Sequence, residues 1–116
     1  MDVEKAKALC RSFAGATEDV KWGADLVFSV GEKMFACTGE APDAGISFKV
    51  DDDRFLELTD RPGIIPAPYL ARAKWIYIEQ PDALGDDEAG ALLRRSYELV
   101  FAKLTKKLQR EISESA

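Results

Sequence analysis

The sequence predicts an α+β domain, a two-layer sandwich in which an antiparallel sheet carries helices on one face. Three observations carry that prediction. Apolar residues alternate with polar ones through residues 20–50. Both ends of the chain instead repeat their apolar residues at helical spacing. The order of segments is helix, three strands, short helix, strand, long helix.

The first segment reads as a helix over residues 2 to 13. Asp2 suits the N-cap, and Val3, Ala6, Leu9, Cys10 and Phe13 form one apolar stripe. Gly15 supplies the stop. The period then becomes two. Val20 and Trp22 alternate with Lys21 as a short extended lead-in before Gly23. Leu26, Phe28 and Val30 alternate with Val27 and Ser29, and Gly31-Glu32 turns the chain into a second strand, Lys33 to Thr38. Turn-rich residues follow to Gly45. A third strand has Ile46, Phe48 and Val50 alternating with Ser47 and Lys49. Such alternation marks an antiparallel sheet with one buried face.

Asp51-Asp52-Asp53 open a short helix through about Thr59, where acids suit the positive N-terminal end. Pro62-Gly63 ends it, and Pro66 and Pro68 keep the next stretch irregular. Arg72 to Gln80 reads as one strand. The last segment reads as a single helix from about Asp86 to Glu111, acidic at its start and basic at its end. These elements make one domain over residues 1–112, with 113–116 as a frayed tail.

Composition bounds the function. The 116 residues are 47% hydrophobic and 32% charged, the balance of an ordinary globular domain, which excludes disorder over most of the length. Two isolated cysteines make no disulfide framework, and a reduced cytoplasmic setting is expected. No secretory leader or membrane span is read in the sequence. The net charge of −5 argues against strong non-specific attraction to nucleic acid or anionic membrane. Residues 40–60 hold seven acids against two bases, so the remainder is close to neutral and has room for a local basic patch.

Catalysis is not expected. Histidine is absent, which removes the commonest general base and the commonest metal ligand. The aspartate run lacks the spacing, glycine and distal glutamate of an EF-hand loop and reads as a helix start. The glycines match no phosphate-cradling motif. No metal and no cofactor are expected. The basic tract Lys103 to Arg110 reads as a solvated helix end. Arg72-Ala73-Lys74-Trp75 with Tyr77 sets two cations beside two aromatics, which suits phosphate contact with base stacking. The same aromatics on a sheet strand serve equally well as core.

Several segments together resemble the MmcQ/YjbR family of small bacterial domains. They are Gly15-Ala16-Thr17-Glu18-Asp19-Val20-Lys21-Trp22-Gly23, Lys33-Met34-Phe35-Ala36, Ile46-Ser47-Phe48-Lys49-Val50, the stretch from Arg61 to Trp75, and Leu92-Leu93-Arg94-Arg95-Ser96-Tyr97. The 61–75 stretch, with its Arg61-Pro62-Gly63 and Pro66-Ala67-Pro68-Tyr69, is the most specific. The resemblance implies a secretion-chaperone-like or frataxin-like fold, ordered α-β3-α-β2-α. It also implies a DNA-binding role in which two hairpin wings grip the duplex. The wing tips here are Gly31-Glu32-Lys33, with one acid and one base, and Gly39 to Ala44, with two acids and no base.

Two binding functions are therefore expected of this chain. The first is weak DNA binding by phosphate contacts from Lys21, Lys33, Lys49, Arg72 and Lys74. The second is a protein-interaction or chaperone-like role, or self-association, through an apolar surface that includes Trp22, Phe35, Tyr69 and Trp75.

Overall fold

The computed structural model describes residues 1–21, 25–39, 41 and 43–115. Helix α1 (Val3–Ser12) forms where the apolar stripe predicts it. The Asp2 carboxylate accepts the Lys5 N–H at 2.8 Å and caps it. Four strands follow before the next helix: β1 (Ala16–Lys21), β2 (Asp25–Val30), β3 (Lys33–Gly39) and β4 (Ile46–Lys49). The sequence predicts three, with only a short extended lead-in at Val20 to Trp22 where β1 ends. Strand β1 is exposed along nearly its whole length and lies at the sheet edge. With neither face buried, it carries no apolar alternation before Val20.

Helix α2 (Asp52–Thr59) begins as expected, but Asp51 makes no side-chain cap bond. Its carboxylate is taken by Arg95, at 2.9 and 3.0 Å. This bidentate pair holds the Asp51 carboxyl below its usual range. The proline-rich stretch is not irregular throughout. It contributes β5 (Ile64–Pro66) at the other sheet edge, where the missing N–H of Pro66 is tolerated. The predicted strand over 72–80 is shorter than expected. Residues Ala71–Ala73 form a 3-10 turn, Lys74 adopts φ +63°, and only Trp75–Ile78 pair as β6.

The expected long C-terminal helix is two helices, α3 (Asp86–Phe101) and α4 (Lys106–Ser115). Two side chains make the break. Thr105 Oγ1 accepts the Leu108 N–H, and the Gln109 amide donates to the carbonyls of Phe101, Ala102 and Leu104 at the end of α3. The break folds Leu104 and Leu108 onto Gly31. A Cβ there would lie 2.7 Å from the Leu104 methyls, which would have to shift, and the φ of +56° at Gly31 favours glycine in any case. Residues 113–115, expected to fray, belong to α4.

The sheet is antiparallel throughout, ordered β1-β2-β3-β4-β6-β5. Its inner face packs Phe28, Phe48 and Ile76 against Leu93 and Tyr97 of α3 in one core cluster that also draws on α1 and α2. The Tyr97 ring sits 5.0 Å from Phe13 and 5.5 Å, edge on, from Phe35. This is the α+β sandwich the sequence predicts, with two strands, β1 and β5, and one helix more than the periodicity shows; the α-β3-α-β2-α order implied by the resemblance lacks one strand and one helix.

One irregularity shapes the centre. Ser29 pairs with Met34 and Phe28 with Ala36, so Phe35 is an extra residue on β3. The bulge sends Phe35 into the core. The Ser96 hydroxyl donates to the Phe35 carbonyl at 2.7 Å and accepts the Lys49 N–H at 3.0 Å. A helix side chain thus bridges β3 and β4 next to the bulge.

Candidate functional site

The outer face of the sheet carries a cross-strand row, Val27, Cys37, Ser47 and Tyr77 on β2, β3, β4 and β6. The two middle residues are small, so the floor sinks between larger neighbours. The result is a groove of about 660 Å³. Met34 and Ala44 line it, and the loop Pro68-Tyr69-Leu70 forms the wall beyond β6. Asp25, at the start of β2, lies at the opposite end. The Tyr77 hydroxyl accepts the Gly45 N–H at 2.8 Å, which fixes its ring over the floor. Val27 and Trp75 are buried yet stand apart from the main core cluster.

The loop wall is held by a tight turn. The Leu70 N–H bonds the Ala67 carbonyl at 3.1 Å, Pro68 takes the second position, and Tyr69 at the third has φ +66°. This matches a type II turn, whose third position suits glycine. A tyrosine there costs about 1–2 kcal/mol of backbone strain. Its side chain is fully exposed, so no intramolecular packing offsets that strain.

The thiols are poor nucleophiles. Burial pushes Cys10 up to about 12. Burial, with the nearby Asp25 charge, pushes Cys37 up to about 11. The groove therefore offers apolar walls, neutral hydroxyl and thiol groups, and one carboxylate.

The aromatic residues expected at a partner surface do not share one. Tyr69 stands at the groove rim. Phe35 is completely buried, because the β3 bulge directs it under α3, and it presents no surface. Trp75 is 4% exposed and underlies the sheet's outer face instead of displaying a ring on it. Trp22 lies outside the described residues.

The expected cations separate into two places. Lys21 pairs in register with Asp25 at one end of the sheet. Lys33, Lys49 and Lys74 lie at the other end, by the register of β3, β4 and β6. Arg72 is exposed in the adjoining 3-10 turn. The second cluster is partly engaged. The Lys49 ammonium donates to the Ala73 carbonyl, and Lys74 lies 5.2 Å from the centre of the Phe55 ring. Burial lowers the Lys49 pKa, and the nearby Lys103 charge lowers it further.

The groove residues that sequence reasoning missed include Asp25, Met34, Cys37, Ser47 and Leu70. Alternation places Ser47 outward beside Lys49. A regular strand would put Met34 and Cys37 on opposite faces; the bulge at Phe35 shifts the parity of β3 and brings both to the outer one.

Comparison with known proteins agrees with this architecture. The YjbR family model matches residues 11–99. The crystal structure of a DUF419-domain protein from Deinococcus radiodurans is similar with a TM-score of 0.86 and 30% identity, covering 96% of this chain and 87% of that one. A Pseudomonas syringae protein shares the fold at a TM-score of 0.70 and 22% identity, covering 86% of this chain and 99% of its own. No curated protein matches. Helix α4 lies beyond the matched residues, whereas every strand of the groove lies within them. With most of its length matched by the family model, the chain belongs to the YjbR family.

Proposed function

We propose that this domain is a non-enzymatic binding module that takes an extended, mostly apolar segment of a protein partner across the outer face of its sheet. The observation that carries this reading is the groove ending at Tyr69, a large exposed ring held in a strained turn. Exposed apolar surface and local strain persist most readily where they serve binding. The absence of histidine and the raised thiol pKa values support a role without catalysis.

The test is Tyr69→Gly. Relief of the positive φ should stabilise the protein by about 1 kcal/mol, or raise Tm by about 4 °C. Peptides selected on the wild-type protein from a random-peptide phage library should bind the variant at least about tenfold more weakly, as for a lost aromatic anchor. Equal affinity for both proteins would remove Tyr69 from the site, and a library that yields no binders would remove the reading.

A second reading has its own observation, the gathering of Lys33, Lys49, Lys74 and Lys103 at one end of the sheet. DNA contact there would be made through phosphates. Anisotropy of a labelled duplex should then show log affinity falling linearly with log salt, with a slope near −3 for about three to four contacts. Lys49→Glu with Lys74→Glu should abolish binding. No binding at low salt would retire this reading and leave the groove untouched.

A further inference from the structure

Resting on the groove reading, we infer that the partner segment carries a lysine or arginine, and that Asp25 is the residue that selects it. Asp25 is the only charged side chain lining the groove among the described residues. It is half-buried and makes no hydrogen bond or ion pair among them. Lys21, its partner across the β1–β2 ladder, does not reach it as an ion pair. The Asp25 charge is felt inside the groove, since it helps to raise the Cys37 thiol.

A half-buried carboxylate with no partner among the described residues gains from a cation that reaches it, through a charge-assisted hydrogen bond. The walls that lead away from it are apolar, so the rest of the occupant is uncharged. Complementarity therefore specifies an apolar segment with one cation.

Geometry sets the spacing. The floor crosses four strands, from Asp25 on β2 to Tyr77 on β6. Three interstrand steps span about 14 Å, the length of about four extended residues. A cation on Asp25 thus places apolar residues up to about four positions away against Tyr77 and Leu70. A duplex is a poor occupant, since its phosphates would meet Asp25.

The experiment selects a random-peptide phage library on the full chain and on its Asp25→Asn and Asp25→Lys variants. Wild-type pools should be enriched in peptides with a lysine or arginine within about four positions of apolar residues. A synthetic wild-type-selected peptide should bind Asp25→Asn about tenfold or more weakly. Asp25→Lys should select acidic peptides. A variant that does not fold leaves the composition of the wild-type pool and its Lys-to-Gln peptide substitutions to decide. Apolar pools without basic preference, or unchanged affinity for Asp25→Asn, would overturn the role of Asp25 and leave the groove as a peptide site. An empty selection would overturn both. Displacement of the peptide by a short DNA duplex would assign the groove to nucleic acid and overturn the inference.

Discussion

Gly45→Ala is expected to destabilise this domain by about 3 kcal/mol or more, the upper range of overpacking costs. Thermal melts should show Tm lower by about 10 °C. An added Cβ would stand 1.9 Å from the Ile78 carbonyl oxygen and 3.0 Å from the Tyr77 ring. The clash is with backbone, in the β4–β6 ladder where Ile46 pairs with Ile78. The chain has little room to retreat, because the Gly45 N–H is held by Tyr77 and its carbonyl by the Thr38 hydroxyl at 2.7 Å. A Tm within about 2 °C of the wild type would show that the loop before β4 yields more easily than its hydrogen bonds imply. The Tyr77 hydroxyl and Ala44 flank this point, so the same substitution should also deform the groove floor.

Ser96→Ala should cost about 2–4 kcal/mol, far more than a surface serine, because it orphans a buried carbonyl and a part-buried N–H at once. Ser96 is completely buried. Without its hydroxyl, the Phe35 carbonyl and the Lys49 N–H lose the bridge between them. Denaturant titration would measure the loss. Hydrogen exchange would locate it, since the Lys49 amide should lose protection before its neighbours in β4. A loss under about 0.5 kcal/mol, the range of an ordinary surface change, would mean that the two strands close on each other and make the ladder bond directly.

These two positions show unequally in the sequence. Gly45 reads as one more turn residue, although its requirement is a close approach between strands. Ser96 falls inside a segment that carries the family resemblance, but nothing in the sequence distinguishes a serine that bridges two strands from one that faces solvent. The site shows the same division. Tyr69 was legible as a candidate because a proline-rich stretch cannot bury all its apolar residues in regular structure. Asp25 was not, because its significance lies in having no partner among the described residues, which only the positions of its neighbours reveal.

What the sequence determined by itself was the fold class, the helix starts at Asp2 and in the Asp51-Asp52-Asp53 run, and the core stripes of α1, β2 and β4. These depend on periodicity, and periodicity is a local property of the chain. Tertiary structure alone decided the rest. Edge strand β1 pairs without a buried face, so its pattern is silent. Thr105 and Gln109 divide the last helix through hydrogen bonds that compete with its continuation. The Phe35 bulge reverses side-chain parity along β3, turning an expected surface aromatic into core and bringing Met34 to the groove. In each case the deciding contact joins residues through space, where a pattern along the chain carries no record of it.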